Sequence, residues 1–274
     1  MSSTPSPHAS ARPATGPATG PATGHALVTG PTAGIGRAFA EQLAARGHDL
    51  VLVARDEQRL EATAAELRAR HGVVVEVLPA DLTDREQLAR VEQRLGDPDR
   101  PVELLVNNAG FGLKSPFLDN SLEAEQSLLD VHVVAPMRLT HVALSAMVPR
   151  GRGRIVNVAS VAGFLPRGSY SAAKSYVIRL SQWAHAEYAG RGVTVMALCP
   201  GFVETEFHER FGVARNSAPR FLWLQADNLV KEALGDLDAG RALSVPSLRY
   251  KAIVGVTRLV PGPVLQRFQS LGRK

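Results

Sequence analysis

Short apolar runs alternate with amphipathic stretches along this chain from residue 25 to residue 245. The apolar runs predict strands at Ala26–Thr29, Leu50–Ala54, Val73–Leu78, Leu104–Asn107, Ile155–Ala159, Val193–Leu198 and Leu243–Val245. The amphipathic stretches predict helices at Ile35–Arg46, Glu57–Arg70, Arg85–Leu95, Leu122–Met147, Tyr170–Ala189 and Asp227–Asp236. Strands that are apolar on both faces and alternate with helices predict a parallel sheet with both faces covered. Right-handed crossovers make such an α/β sheet doubly wound, and its ligands lie beyond the carboxyl ends of the strands.

The two ends of the chain differ from this alternating body. Residues 1–24 are rich in Ser, Pro, Thr, Ala and Gly and end in three consecutive copies of Pro-Ala-Thr-Gly. They are expected to be a disordered tail, with a partner-binding arm as the alternative. The folded domain is expected to span residues 25–246, and residues 247–274 form a C-terminal extension of apolar and basic residues. Docking of this extension on the body or on a partner subunit is favoured over an interfacial helix on a membrane.

Composition excludes several classes of protein. The net charge of +5 is spread over interspersed acidic and basic residues without a long basic run, which disfavours nucleic-acid binding. The single cysteine, Cys199, permits neither an intrachain disulfide nor a cysteine-based zinc site, and no metal is expected. No apolar stretch is long enough to span a bilayer, and the N-terminus lacks the apolar core of a secretion signal. A reducing, cytoplasmic location is therefore expected.

A glycine-rich turn follows the first predicted strand and opens the first predicted helix. Its glycines allow the backbone to turn tightly and approach a ligand, and the free N–H groups of the helix suit a dinucleotide pyrophosphate. A sharp turn without a ligand is the alternative. The expected cofactor-binding residues here are Gly30, Thr32, Ala33, Gly34, Ile35 and Gly36.

Two arginines favour NADP(H) over NAD(H), although NAD(H) stays possible. The second predicted strand ends at Ala54, where an acid usually binds the adenosine ribose, and Arg55 follows. Arg37 comes directly after the last glycine of the turn, and guanidinium groups bind a 2′-phosphate through bidentate hydrogen bonds. Alternatively, both arginines lie on the surface and pair with Asp56 and Glu57, and Asp56 itself could bind a ribose hydroxyl.

The third and fourth predicted strands lead into further candidate cofactor residues. Asp81, followed by Leu82, could accept a hydrogen bond from the adenine amino group, or it merely ends the strand while Thr83 or Asp84 caps the next helix. The fourth strand continues into Asn108, Ala109 and Gly110. An asparagine side chain can bridge neighbouring strand ends, and the small residues leave room for a ribose.

A tyrosine and a lysine four residues apart begin the helix after the fifth strand. Tyr170 and Lys174 share one helix face, and a nearby ammonium is expected to lower the pKa of the phenol towards catalytic use. Ser160 ends the preceding strand, and its hydroxyl could stabilise a substrate oxygen. Tyr170 would then transfer a proton at a carbonyl or alcohol oxygen, and Lys174 would also contact the nicotinamide ribose.

These motifs, together with Pro200-Gly201 after the sixth strand, resemble the short-chain dehydrogenase/reductase family from His25 to Val245. The resemblance implies a single Rossmann-type domain and hydride transfer between NADP(H) and a carbonyl or alcohol. It also implies that Pro200, Gly201, Val203 and Thr205 border the coenzyme, with the last two at the nicotinamide amide. A homodimer or homotetramer is expected by the same analogy.

The sequence departs from the family pattern at two positions. His132 occupies the place where the family usually has a catalytic asparagine, and either a proton relay or a buried structural role is open to it. Ser160 precedes Tyr170 by ten residues, a shorter interval than is usual, so the loop Val161–Ser169 could open the substrate cleft.

An apolar substrate is expected. Residues 206–225 contain Phe207, His208, Phe211, Phe221, Trp223 and Leu224, which suit a hydrophobic lid but equally a core or a subunit contact. Further pocket candidates are Phe111, Phe117, Phe164 and Leu165. The expected substrate is therefore an apolar ketone or secondary alcohol, of acyl, steroid-like or polyketide-like type. The alternatives are a non-catalytic NADP-binding regulator and a membrane-surface reductase held by its C-terminal extension.

Overall fold

A parallel sheet forms the centre of the computed structural model, which describes residues 24–205 and 219–259. Its strands are β1 (His25–Thr29), β2 (Leu50–Ala54), β3 (Val75–Pro79), β4 (Val102–Asn107), β5 (Gly153–Val158), β6 (Val193–Leu198) and β7 (Leu243–Ser244). The α-helices of the described residues are α1 (Gly34–Ala45), α2 (Glu57–His71), α3 (Arg85–Leu95), α4 (Leu122–Leu129), α5 (Ala135–Met147), α6 (Gly168–Tyr188), α7 (Ala226–Asp238) and α8 (Leu248–Leu259). This is the predicted doubly wound, Rossmann-like α/β fold.

The seven strands lie in the order β3-β2-β1-β4-β5-β6-β7, and every neighbouring pair is parallel. One face of the sheet packs against α1, α2 and α7, and the opposite face packs against α3, α5 and α6. Side chains alternate between the two faces along a strand, so Ala26 and Val28 belong to the first core and Leu27 to the second. All three are fully buried, which explains why the strands are apolar on both faces.

The strand order reverses between β1 and β4, and their carboxyl ends are tied together there. Asn108 donates from its side-chain amide to the carbonyl oxygens of Thr29 (2.9 Å) and Gly30 (3.0 Å). The Thr29 hydroxyl accepts the backbone N–H groups of Asn108 and Ala109, each at 3.0 Å. This bridge fixes the crevice where doubly wound sheets bind their ligands.

A buried polar network continues from this crevice into α6. The Asn107 side chain donates to Asn157 Oδ1 at 2.8 Å, and Asn157 donates to the Ser181 hydroxyl at 2.9 Å. Asn157 and Ser181 are fully buried, so their hydrogen bonds offset the cost of removing polar groups from water. The network joins β4, β5 and α6 and thereby fixes the helix that carries Tyr170 and Lys174.

The stretch predicted as a helix at Leu122–Met147 is helical throughout, but it is not one regular α-helix. Helix α4 ends at Leu129, a π-helical turn spans Asp130–Val134, and α5 begins at Ala135. The turn widens directly before Pro136, whose missing N–H and bulky ring are incompatible with regular α-helical bonding to the preceding turn. His132 lies within this turn.

The C-terminal extension packs against the body as far as it is described. Helix α8 buries Tyr250 and Val254 next to the residues that follow β6, while Ile253 and Val256 stay partly exposed. No described helix has both the length and the apolar character needed to cross a membrane. The predicted tail up to Thr23, most of the predicted lid (206–218) and residues 260–274 lie outside the described residues.

Candidate active site

The glycine-rich turn between β1 and α1 forms a narrow cradle. Gly30 and Gly34 have φ angles of +67° and +55°, which favour glycine. A Cβ at Gly36 would lie 2.1 Å from the Gly30 carbonyl oxygen, so the turn and the helix approach too closely for a side chain. Ala33, the residue directly before α1, makes no side-chain hydrogen bond that would cap the first turn of the helix. The N–H groups of this first turn are therefore left uncapped by the Ala33 side chain, as a site for an anion requires.

Three arginines lie on α1, α2 and the end of β2 near this cradle, and one of them was not among the predicted site residues. Arg37 pairs with Glu66 on α2, and Arg55 lies 3.8 Å from the Asp81 carboxylate. These partners differ from Asp56 and Glu57, which were the expected alternative, and Asp56 caps α2. Arg59 is the missed residue, and its guanidinium donates to the Thr32 carbonyl at 3.3 Å. Its position in the first turn of α2, three residues after the Asp56 cap, could have suggested this contact.

Asp81 forms a tight turn at the end of β3. Its Oδ1 accepts the Thr83 N–H at 2.9 Å and the Thr83 hydroxyl at 2.8 Å. The next helix, α3, is capped by Asp84, which accepts the N–H groups of Glu86 and Gln87. Leu82 is buried behind the turn. Asp81 thus shapes the loop at this strand end, and its second oxygen is the one nearest Arg55.

Ser160, Tyr170 and Lys174 converge beyond the carboxyl end of β5. A hydrogen bond joins the Ser160 and Tyr170 side chains. The Lys174 Nζ lies 5.7 Å from the centroid of the Tyr170 ring and donates to the Val158 carbonyl at 2.7 Å. A short 3₁₀ turn, Val161–Phe164, follows Ser160 and packs closely on α6. The serine hydroxyl accepts the Ala162 N–H at 3.1 Å, which orients it at the start of that turn.

Burial sets the protonation of the pair in a way that differs from the sequence expectation. Burial raises the pKa of Tyr170 to about 12, although the hydrogen bond from Ser160 acts in the opposite direction. Burial also lowers the pKa of Lys174 to about 7. The expectation that the ammonium lowers the Tyr170 pKa is therefore wrong for the protein alone, because desolvation of the phenolate dominates. Tyr170 is a neutral phenol at neutral pH.

His132 reaches into the same site from the π-helical turn. Its Nε2 lies 2.6 Å from the Phe111 carbonyl oxygen and 3.1 Å from the Phe111 nitrogen, and its ring meets that of Tyr170 edge-on at 5.3 Å. Burial, and then the nearby Lys174 charge, hold the pKa of His132 well below its usual value. A Cβ at Gly110 would lie 2.5 Å from the imidazole, so glycine makes room for the ring. His132 is neutral, and Phe111 is its backbone partner.

The segment after β6 lies against the glycine-rich turn. The Pro200 carbonyl accepts the Val161 N–H at 3.0 Å, which ties this segment to the turn that follows Ser160. Val203 pairs with Leu224 in a parallel bridge. A Cβ at Gly34 would lie 2.7 Å from the Thr205 methyl group, so Thr205 touches the glycine-rich turn. The cofactor candidates from the first and sixth strands are therefore neighbours in space.

Several candidate substrate residues are also described. Trp223 stacks at a tilt on Phe202 with ring centroids 5.4 Å apart, and the Phe221 ring lies under the Arg249 guanidinium. Phe164 packs against the small core formed by β6 and α8, whereas Phe117 is largely exposed. Phe207, His208 and Phe211 lie outside the described residues.

Several known proteins resemble this chain in architecture and in sequence. Residues 24–215 match the family model described as short chain dehydrogenase. A short-chain dehydrogenase from Sphingobium yanoikuyae, solved in complex with NADPH, is 39% identical with a TM-score of 0.79 over 86% of this chain and 93% of its own. A bulky-bulky ketone specific alcohol dehydrogenase from Comamonas testosteroni is 32% identical with a TM-score of 0.76 over 88% and 96%. A very-long-chain 3-oxoacyl-CoA reductase of Anas platyrhynchos is 31% identical over 77% of this chain and 67% of its own length. This chain therefore belongs to the short-chain dehydrogenase family of oxidoreductases, which act on CH–OH groups.

Proposed function

We propose that this protein is an NADP(H)-dependent oxidoreductase that interconverts a carbonyl and a secondary alcohol on an apolar substrate. The observation that carries the proposal is the convergence of Ser160, Tyr170 and Lys174 beside the glycine-rich cradle. A proton donor, a hydroxyl that binds oxygen and a cation meet there, as carbonyl reduction requires.

The cradle fits a dinucleotide phosphate. The close approach of Gly36 to the Gly30 carbonyl leaves backbone N–H groups facing the crevice without a side chain between them. The proposed coenzyme residues are Gly30, Thr32, Ala33, Gly34, Ile35, Gly36, Arg37, Arg55, Asp81, Leu82, Asn108, Ala109, Gly110, Tyr170, Lys174, Pro200, Gly201, Val203 and Thr205. When bound, the coenzyme supplies or accepts the hydride.

The preference for NADP(H) rests on the arginines. No acid follows β2 directly, and Arg55 is largely exposed at that position, so its guanidinium is available to a 2′-phosphate. The similar dehydrogenase from Sphingobium yanoikuyae was solved with NADPH. NAD(H) is the alternative, and we add Arg59 to the residues on this side of the cradle.

Each residue of the site has a separate role in the proposed reaction. Tyr170 is protonated at neutral pH, so it donates its proton to the substrate oxygen during reduction and must first lose that proton to act in oxidation. Ser160 hydrogen-bonds the same oxygen and stabilises the charge that develops on it. Lys174 positions the coenzyme ribose and adds positive charge beside the phenol. His132 holds Phe111 at the edge of the site.

An apolar substrate agrees with the described surroundings. Phe202, in the segment after β6, and Trp223 present stacked rings, and Phe164 is the last residue of the 3₁₀ turn that follows Ser160. The names of similar proteins point to bulky ketones and long acyl chains. We propose a ketone with a large apolar substituent as the substrate class.

The oligomeric state and the location of the protein are proposed from its surface and its composition. Helices α5 and α6 carry partly exposed apolar side chains, among them Met137 and Trp183, beside a cavity of about 330 Å³. An exposed apolar surface of this kind suits a contact between subunits, so we propose a homodimer or homotetramer. A cytoplasmic location is proposed from the composition, with its single cysteine.

The variant Tyr170→Phe tests the central assignment. It removes the proton donor and keeps the ring, so we expect reduction of apolar ketones with NADPH to fall by about 10²- to 10⁴-fold while NADPH binding persists. Steady-state kinetics and a binding titration measure the two effects separately.

The matched control is Tyr176→Phe, which removes a hydroxyl from a more exposed position of the same helix. Its rate should equal that of the parent. A folded Tyr170→Phe protein that binds NADPH and turns over like the parent would contradict the assignment. A parent that binds NADPH but reduces none of a broad panel of ketones would support the non-catalytic alternative.

A further inference from the structure

The side chain of Tyr250 joins two backbone stretches that lie far apart in the sequence. Its hydroxyl accepts the Phe202 N–H at 3.0 Å and donates to the Leu222 carbonyl at 2.8 Å. The residue lies in the first turn of α8 and is 2% exposed, so both bonds are shielded from water. One buried hydroxyl therefore holds the segment after β6 against the segment that leads into α7.

The ring of Tyr250 fixes the same place by packing. A Cβ at Gly201 would lie 1.9 Å from the ring carbon that bears the hydroxyl. The phenol thus lies flat against the Gly201 backbone, with its hydroxyl directed at the next residue. Neither the ring nor the backbone can shift without the other.

A short backbone ladder continues from this contact. The Leu224 N–H bonds to the Phe202 carbonyl at 2.9 Å, and the Glu204 N–H bonds to the Leu224 carbonyl at 3.0 Å. The two stretches that Tyr250 holds together are therefore paired for the next few residues. The position of Val203, which is 2% exposed, follows from this pairing.

The far end of the ladder touches the glycine-rich turn. Thr205 lies against Gly34, at a place where a Cβ on the glycine would come within 2.7 Å of its methyl group. A continuous chain of contacts therefore leads from Tyr250 to the turn that cradles the coenzyme.

Tyr250 itself is anchored from the body of the protein. The turn before α8 contains Ser247 at a φ of +77°, an uncommon conformation for a serine, and its N–H bonds to Glu232 of α7 at 3.0 Å. The same carboxylate pairs with Lys251 at 2.7 Å. Glu232 thus fixes both sides of Tyr250 and defines where the phenol points.

We propose that Tyr250 is a positioning residue that fixes residues 201–205 against the coenzyme. The inference rests on the proposed function for the role of Val203 and Thr205 at the nicotinamide. The C-terminal extension then contributes to coenzyme binding through backbone placement, although it lies outside the motifs that carry the chemistry.

The test is Tyr250→Phe in the full chain, with Tyr176→Phe as the matched control. The variant keeps the ring against Gly201 and removes only the hydroxyl. Hydrogen exchange should become about fivefold faster or more at the amides of Phe202 and Glu204, while the amides of α5 keep the parent rate. The NADPH dissociation constant should rise by about three- to tenfold, and circular dichroism should show an unchanged fold.

A second variant, Glu232→Gln, weakens the anchor of α8 and leaves Tyr250 intact. We expect faster exchange at the same two amides, to a smaller extent than in Tyr250→Phe. Unchanged exchange at these amides in both variants would overturn the positioning role.

The outcomes separate this inference from the proposed function. If the parent binds NADPH and Tyr250→Phe binds it equally well with unchanged KM and kcat, the positioning role is overturned and the proposed function stands. A parent that binds neither NADPH nor NADH overturns the proposed function, and the positioning role with it.

Discussion

Burial shifts the pKa values of two ionisable residues of the site in the direction that favours their uncharged forms. Tyr170 keeps its proton because its pKa is raised to about 12, and Lys174 is half-protonated near neutrality because its pKa is lowered to about 7. A neutral phenol is a proton donor, so the protein alone is prepared for carbonyl reduction. Oxidation of an alcohol needs the phenolate, which forms only at high pH.

The pH dependence of the two directions should therefore differ. For alcohol oxidation, kcat/KM should rise by about tenfold per pH unit above neutrality, because the phenolate fraction of the free enzyme grows at that rate well below the pKa. For ketone reduction, the protonated phenol is present throughout, and kcat/KM should show no such rise. Rates measured in both directions across a series of buffers give the two profiles.

Circular dichroism at each pH serves as the control for folding. An oxidation profile that reaches its plateau near neutrality would show that Tyr170 ionises far more easily than its burial implies.

At the scale of secondary-structure elements, α1, α2 and the end of β2 together form the side of the cradle that is proposed to hold the adenosine. Arg37 on α1 is neutralised by Glu66 of α2, whereas Arg55 after β2 has only a distant partner in Asp81. The two arginines are therefore not equivalent as phosphate ligands. A phosphate must compete with Glu66 for Arg37, whereas Arg55 is exposed to solvent and has no close acidic partner among the described residues.

Substitutions at these positions should separate NADPH from NADH. Arg55→Ala is expected to weaken NADPH binding by about tenfold and to leave NADH binding nearly unchanged, because only NADPH carries the 2′-phosphate. Glu66→Gln should act in the opposite direction by releasing Arg37. Parallel titrations of both coenzymes measure the effects.

The control for this series is Arg90→Ala, which removes an exposed arginine of α3. Equal losses for NADPH and NADH in Arg55→Ala, or tighter binding of NADH by the parent, would show that these arginines do not select the coenzyme.

The sequence predicted the elements wherever periodicity alone determines them. The strands and most of the helices could be predicted because the two faces of a covered sheet must both be apolar. Neighbouring strand residues such as Leu27 and Val28, which lie on opposite faces, are therefore both hydrophobic. The π-helical turn at Asp130–Val134 within the predicted helical stretch was missed, because such a turn changes the hydrogen bonding without interrupting the apolar pattern. Pro136 was the one local signal for it.

Part of the site could also be predicted, because the parallel sheet fixes where the strands end. Residues at strand ends, such as Ser160 and Asn108, could be placed because parallel strands bring their carboxyl ends to one edge. Contacts between a side chain and the backbone of a distant segment could not be predicted in this way. The Arg59–Thr32 and Tyr250–Phe202 hydrogen bonds are of this kind. The pKa of Tyr170 was also mispredicted, because its desolvation depends on the packed structure.

At the scale of the whole molecule, the buried lysine makes stability depend on pH. Lys174 has a folded-state pKa of about 7 against 10.5 for an exposed lysine, so the unfolded chain binds an extra proton between these values. The free energy of unfolding should therefore rise as the pH increases through this window, and the cost of burying the charge is largest at its lower end.

Lys174→Met should remove this dependence. At about pH 7, where the parent bears nearly the full cost of burying the ammonium, the variant should be more stable by roughly 2–4 kcal/mol, and the difference should shrink towards higher pH. Urea unfolding at several pH values between about 7 and 9.5 measures it, below the range in which Tyr170 titrates.

Lys231→Met, which alters an exposed lysine of α7, should keep the slope of the parent. A Lys174→Met protein whose stability changes with pH as steeply as the parent would contradict the prediction.

The contact between Gly110 and His132 has a consequence for how this site could have arisen. An imidazole fits at position 132 only because position 110 has no side chain, since a methyl group there would come within 2.5 Å of the ring. Mutational order is therefore constrained: glycine must already be present at 110 before histidine can enter at 132. With histidine at 132, alanine at 110 would force the buried ring to move, whereas a smaller residue at 132 would avoid this contact.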